Sequence, residues 1–347
     1  MKDDLVSIII PCRNEEKFIT NTLNSILNMD YPLDNMEILV VDGRSDDKTK
    51  EIVKQFEDKY SQIKLIDNPE KTVPYAMNYG IKQAKGEMIV RLDAHSIYPK
   101  NYVSRLVAEL YNLNADNVGG VWDTIPANDS LVAQTIAYST SHSFGIGNAQ
   151  YRISDKIEPY EVDTVPFGCY KKEVFKKISL YDTDLTRNQD DELNARLIQN
   201  GGKIFLIPDL KIKYFARDKF SKMFKMFYQY GLFKPLVNMK LKQPATIRQF
   251  VPPVFVLFLI FGFVLSIVSS TFLALFLIGL CIYFVVNILV SYKIAKEKRN
   301  LKLFPYLVYS FFLIHISYGL GYLKGIVDFI IFKKHKKNDL SKIKTSR

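Results

Sequence analysis

The sequence predicts an α/β fold, a sheet flanked by helices, followed by a membrane-attached C-terminal region. Three observations predict it. Short β-branched runs alternate with stretches of helical spacing from residue 5 to residue 112. Polar residues gather just beyond the carboxyl ends of those runs. Residues 251–290 contain no charged residue at all. A chain of 347 residues is long for one compact core, so two structural units are expected. With 48% hydrophobic and 24% charged residues, global disorder is excluded. The cysteines Cys12, Cys169 and Cys281 lie far apart, which excludes a disulfide scaffold or cysteine zinc cluster and fits a reducing compartment. The first apolar run is too short before charges resume for a cleavable signal peptide.

Residues 5–10 (LVSIII) read as a buried strand ended by Pro11. Phe18, Ile19, Leu23, Ile26 and Leu27 then recur at helical spacing within 15–28. A second strand is expected at 36–41, a helix near 47–59, a third strand at 63–66 and a helix at 74–85. A fourth strand falls at 87–92 and a helix at 100–112. Beyond them come a strand at 118–122 and a short helix at 130–140. The run 141–162 reads as an irregular polar loop able to close over a ligand. Helices follow at 171–178 and 188–200, the latter stopped by Gly201-Gly202. Two strands are expected at 203–207 and 211–215.

Residues 217–240 mix lysines with Phe220, Met223, Phe224, Phe227 and Leu232, the pattern of an interfacial amphipathic helix. The 40 uncharged residues that follow suffice for two spans, near 251–268 and 272–292, turning at Ser269-Ser270-Thr271. A third apolar segment occupies 303–332 and a basic tail 333–347. The expected organisation is thus a catalytic domain at 1–215, an interfacial segment at 216–248 and a membrane region at 249–332. Charge follows this division. Residues 1–210 hold 24 Lys/Arg against 32 Asp/Glu, whereas 211–248 hold 10 against 1. Basic segments beside membrane-length apolar runs point to anionic membrane lipid, not to nucleic acid. An acidic unit without a signal is expected to face the cytoplasm.

No G-x-G-x-x-G follows the first strand, which counts against a dinucleotide dehydrogenase, and no Walker A lysine motif occurs, which excludes a P-loop ATPase. What remains is a series of acidic residues at strand and helix ends. Asp42 follows MEILVV, Asp93 follows EMIVRL with His95 two residues on, and Asp190, Asp191 and Glu192 open a later helix. A strand-end carboxylate with a second ligand two residues later can hold a divalent cation on a diphosphate. A carboxylate set apart from the metal can take the proton of an attacking hydroxyl.

The motifs SIIIPCRNEE (7–16), VVDGRSDDKT (40–49), AMNYGIKQAKGEMIVRLDAHS (76–96), DTVPFGCYKKEVF (163–175) and NQDDELNARL (188–197) together resemble the family 2 glycosyltransferases of GT-A fold. The Asp-Ala-His form and the segment HISYGLGYLKG (315–325) are similar to the membrane-bound branch of succinoglycan-type exopolysaccharide glucosyltransferases. This resemblance implies that Pro11, Arg13 and Glu15 border the nucleotide and that Asp42 contacts its uracil. It places Asp93 and His95 on Mn2+ or Mg2+ and the diphosphate. Asp190 becomes the general base, with Asp191 as the alternative because Gln189 stands where the family usually has Glu. The segment 166–170 lines the acceptor side, and Arg196 supports the helix and Asp190. The Q-x-x-R-W motif of processive synthases is absent, since Gln229 is followed by Tyr-Gly-Leu-Phe. The implied activity is inverting transfer of one sugar, glucose by resemblance, from a UDP-hexose donor to a polyprenyl-diphosphate-linked oligosaccharide acceptor. The alternatives are glycosylation of polyprenyl phosphate itself, and a non-catalytic scaffold in polysaccharide assembly.

Overall fold

The computed structural model describes residues 4–94, 96–244 and 246–334. The chain divides into two compact units. One runs through Asp123 and resumes over Gln150–Tyr214; the other contains Thr124–Ala149 and the chain from Phe215 onward.

In the first unit, strands β1 (Val6–Cys12), β2 (Met36–Asp42), β3 (Ile63–Asp67) and β4 (Met88–Arg91) are linked by helices α1 (Ile19–Leu27), α2 (Thr49–Lys59) and α3 (Val73–Gln83). All four strands are parallel, in the order β3-β2-β1-β4. Every residue of β1 is buried, as expected for a strand covered on both faces. The period of two sorts its side chains: Ile8 and Ile10 enter one core with Ile38 and Val90, while Ile9 enters the other with Leu39 and Ile89.

Beyond β4 come β5 (Ser96–Ile97), α4 (Tyr102–Asn112), β6 (Asn117–Ile125), helices α5 (Leu131–Ser139), α6 (Ser143–Ile146) and α7 (Gln150–Ile153), and then β7 (Tyr160–Glu161). They are followed by β8 (Cys169–Lys171), α8 (Lys172–Ile178), α9 (Gln189–Gln199) and β9 (Ile204–Phe215). Here the sheet changes character, because β8 pairs antiparallel with both β4 and β6, and β9 with both β5 and β7. The result is a mixed nine-stranded sheet flanked by helices.

Two sequence expectations change. The separate strands at 203–207 and 211–215 are one continuous strand, β9. Pro208, which lacks an N–H, falls between the residues paired with β7 (Phe205, Leu206) and those paired with β5 (Lys213, Tyr214), so it breaks neither ladder. The run 141–162 is not wholly irregular, since it carries α6, α7 and β7.

The second unit contains α5 and α6 together with α10 (Phe220–Leu241), α11 (Val251–Val268), α12 (Ser270–Glu297), α13 (Phe304–Gly325) and a π-helical turn at Ile326–Ile331. Three helical segments, Ile247–Val268, Ser270–Glu297 and Leu301–Ile331, are long and apolar enough to cross a membrane. The third is far more enclosed by protein than the other two. Helix α10 begins as a one-sided helix, with Lys222 and Lys225 exposed and Met223 and Phe227 buried. From Gly231 to Val237 every residue is buried. The cause is a close crossing with α13. A Cβ at Gly231 would stand 2.1 Å from the Tyr318 carbonyl oxygen, and one at Gly321 2.1 Å from that of Tyr228. Glycine at both positions lets the two backbones touch.

Candidate active site

The site is built at the carboxyl ends of the parallel strands, where α/β sheets bind ligands. Register places Cys12, Asp42 and Asp67 side by side at the ends of β1, β2 and β3. The loop after β1 is stitched to the loop after β2. Backbone N–H groups of Asn14, Glu15 and Glu16 donate to Ser45 Oγ (2.9 Å), Thr49 Oγ1 (2.7 Å) and Asp47 Oδ2 (3.2 Å). In return the Asp46 N–H donates to Asn14 Oδ1 at 2.8 Å. Asn14 and Arg44 both take positive φ, 57° and 51°, which turns each loop back on the other.

The expected nucleotide-side residues fall into this pair of loops. Pro11 is buried in β1 and Glu15 lies buried at the loop. Arg13 is half-buried and pairs with Asp46 at 3.6 Å. Asp42 is 2% exposed and spends its carboxylate on Ser45: Oδ2 accepts from the Ser45 N–H at 3.0 Å and Oδ1 from its hydroxyl. Asp42 thus shapes the turn after β2.

Arg91, the last residue of β4, is the hub of the site. It is almost fully buried, and its guanidinium binds both carboxylate oxygens of Asp190 through Nη1 and Asp93 Oδ1 at 3.2 Å through Nη2. Burial opposes its charge, but Asp190 and Asp93 more than offset this and hold it well above its ordinary pKa. Burial pushes the Asp190 carboxyl above the usual aspartate value, while the Arg91 charge pulls against it. Asp93 is half-buried, and its N–H donates to Tyr98 Oη at 2.7 Å.

Helix α9 delivers Asp190. Asn188, in the left-handed region at φ 59°, turns the chain into the helix, and Asp190, Asp191 and Glu192 occupy its first turn. Acidic residues there complement the helix dipole. One turn on, fully buried Asn194 locks the helix to the sheet. Its Oδ1 accepts from Asn117 Nδ2 (3.0 Å) and Tyr170 Oη (2.9 Å), and its Nδ2 donates to Thr164 Oγ1 (2.8 Å). Gln189 is buried, and Asp191 is partly exposed beside Asp190. In the segment 166–170, Phe167 takes φ 49°, and its carbonyl accepts from Tyr102 Oη at 2.8 Å.

One expectation is corrected. Arg196 does not reach Asp190. It pairs with Glu192 (Nε to Oε1, 2.8 Å) and donates to the carbonyls of Ile178, Ser179 and Leu180. At i+4 from Glu192 it can bridge to the preceding loop, whereas Asp190 already faces Arg91. Sequence reasoning missed Arg91, although a lone arginine inside the apolar run MIVRL was a signal: a charge buried in a strand must be paired. The second expected metal ligand, His95, lies outside the described residues. Among the described residues, no group of three or more His, Cys, Asp or Glu side chains is arranged to hold a metal by itself.

A mixed sheet flanked by helices, with carboxylates gathered past its parallel strands, is a GT-A architecture. The chain belongs to glycosyl transferase family 2, whose model matches residues 7–179. It is a glycosyltransferase. Over 333 residues it is 30% identical to a dolichyl N-acetyl-alpha-D-glucosaminyl phosphate 3-beta-D-2,3-diacetamido-2,3-dideoxy-beta-D-glucuronosyltransferase of Methanococcus voltae, covering 93% of this chain and 98% of that protein. It is 25% identical to the succinoglycan biosynthesis protein ExoA of Rhizobium meliloti, over 94% of this chain and 98% of that one. Among solved structures, it resembles the mannosyltransferase PcManGT of Pyrobaculum calidifontis, with a TM-score of 0.60, 18% identity, and coverage of 92% and 87% of the two chains. That similarity speaks to the fold.

Proposed function

We propose that this enzyme is an inverting, metal-dependent glycosyltransferase that moves one sugar from a UDP-hexose to a polyprenyl-diphosphate-linked oligosaccharide during exopolysaccharide or capsule assembly. The observation that carries the reading is Asp190, held by Arg91 in the first turn of α9 beside Asp93. The names of the relatives support the acceptor class: one acts on a dolichyl-linked sugar phosphate and another serves succinoglycan biosynthesis. A sugar acceptor also needs a general base more than a bare polyprenyl phosphate would.

In this reading Pro11, Arg13 and Glu15 border the nucleotide, and Asp42 fixes the turn against which the uracil rests. Asp190 accepts the proton of the acceptor hydroxyl as its oxygen attacks the anomeric carbon opposite the leaving UDP, which inverts that centre. A carboxyl with a raised pKa is a better proton acceptor than an ordinary aspartate. Arg91 keeps Asp190 aimed and ionised. Asp191 is the alternative base. Asp93 offers one carboxylate at the site, and Mn2+ or Mg2+ commonly bind through one or two carboxylates plus substrate phosphates. Asp93, with His95, would hold such an ion, which supplies charge neutralisation at the diphosphate.

In this reading the enzyme is a multi-pass protein of the cell membrane with its catalytic face toward the cytoplasm, a reading supported by the three long apolar helices beyond residue 246. They raise the effective concentration of a lipid-linked acceptor at the site.

The test is UDP release by detergent-purified protein with a panel of UDP-sugars, with Mn2+ or EDTA, with and without membrane lipid extract. Metal-dependent release with one sugar, raised by the extract, is the expected result. Absence of release and of UDP binding in folded protein would overturn the reading in favour of a scaffold.

A further inference from the structure

The segment connecting α5 to α7 contains α6, and within its own unit it is fastened at several points. Ser139 Oγ and Ser310 Oγ share a hydrogen bond of 2.7 Å. Arg248 Nη1 donates to the Asn148 carbonyl at 2.6 Å. Gly145 lies so close to the Ser139 carbonyl that an added Cβ would stand 2.3 Å from its oxygen, with the Phe311 ring next at 3.1 Å. The central fastening is His315 on α13. Its Nε2 is 2.7 Å from the Phe144 carbonyl oxygen, and its Nδ1 is 2.9 Å from Tyr283 Oη on α12.

The chemistry of these partners fixes the ring. A carbonyl can only accept, so Nε2 carries the proton. In the neutral imidazole Nδ1 is then the acceptor of the Tyr283 hydroxyl. Phe144, Phe255 and Tyr283 rings surround it. An ionisable side chain inside an apolar helix is costly to retain and marks a functional position by default. Both ring nitrogens of His315 are engaged by protein, so it is not poised to donate a proton or to bind phosphate. Its role is positional.

The segment it holds is covalently continuous on both sides with the catalytic unit, leaving it after Asp123 and rejoining it at Gln150. The acceptor proposed above couples an apolar tail to a polar glycan. We propose that His315, backed by Tyr283, is a positioning residue that pins residues 139–148 to the membrane helices, and that this pinned segment presents the lipid-linked acceptor for transfer. The second half rests on the function proposed above.

The experiment uses the full chain in nanodiscs and compares wild type with His315→Ala, His315→Gln and Tyr283→Phe. Amide hydrogen exchange is read across 139–148. Transfer to membrane lipid extract and hydrolysis of the UDP-sugar without acceptor are read in parallel. Losing the hydrogen bond to Phe144 should speed exchange across 139–148 in His315→Ala by about tenfold, with strands β1 and β2 unchanged. The extract needed for half-maximal transfer should rise by about tenfold, while donor hydrolysis stays within roughly twofold. His315→Gln, which keeps an N–H for the Phe144 carbonyl, should recover most of both. Unchanged exchange in His315→Ala would overturn the pinning. Faster exchange with unchanged acceptor dependence would overturn the presentation. Parallel loss of transfer and donor hydrolysis, with Gln no better than Ala, would reduce His315 to a folding role. If wild type transfers nothing, the functional reading fails and takes presentation with it, while exchange still decides the pinning.

Discussion

Arg91 and Asp190 lie 99 positions apart in the chain, yet the guanidinium of one grips both carboxylate oxygens of the other. This pair joins the end of a parallel strand to the start of a helix. It brings the proposed base beside Asp93, which Arg91 also binds.

Replacing Asp190 with Asn should leave UDP binding intact and lower kcat by about 10²–10⁴-fold, the range expected for a lost general base. Turnover measured on purified protein, with UDP affinity by calorimetry, checks this. Near-normal turnover would transfer the role to Asp191, whose Asn variant should be assayed alongside.

The pH profile of kcat should carry an acidic limb set by Asp190. Burial raises its pKa, so the carboxylate begins to protonate at a higher pH than an ordinary aspartate. Activity should therefore fall as pH drops through that raised value. The limb should lie above the usual aspartate range of about 4, measured at saturating donor and acceptor.

Arg91→Met removes the cation from a buried cluster and leaves two carboxylates facing each other. Breaking such a pair costs about 3–5 kcal/mol, so thermal unfolding should shift clearly downward and activity should be lost. Arg91→Lys keeps the charge but not the fork, and should fold better than it catalyses. Thermal melts beside initial rates separate the two effects.

Asn194→Leu tests the anchor beneath the base. It leaves Asn117, Tyr170 and Thr164 without their shared partner, at a cost of about 1–3 kcal/mol for each buried group left unpaired. A lowered melting temperature is expected, together with a kcat loss larger than the loss in donor affinity.

Gly231→Val should separate α10 from α13, because its side chain would meet a backbone carbonyl that cannot move aside. The yield of monodisperse protein in detergent, read by size exclusion, should fall sharply.

Much of this was legible in one dimension. The parallel strands announce themselves because burial on both faces demands uninterrupted apolar runs. The long apolar helices do so because a stretch of 40 residues without charge, 251–290, has the composition of membrane-length helices. Asp42, Asp93 and Asp190 could be nominated from their places at the ends of such elements. The partners of those carboxylates could not, since ion pairing depends on which elements become neighbours. Arg91 reaches Asp190 only because β8 inserts between β4 and β6 and α9 docks there through Asn194. Arg196, which the resemblance set beside Asp190, turned to Glu192.

The same holds for the C-terminal part. Lysines beside apolar residues in 217–240 suggested a helix lying at an interface. What that pattern did not reveal is that Gly231 and Gly321, separated by many residues, let α10 and α13 touch and bury the middle of α10 on all sides. Periodicity and composition are local properties, so the chain by itself determined its strands, its long apolar helices and its acidic strand ends. Which charge meets which, and that residues 124–149 pack with the long C-terminal helices, was decided by long-range packing, where contact energies between distant segments outweigh local preference.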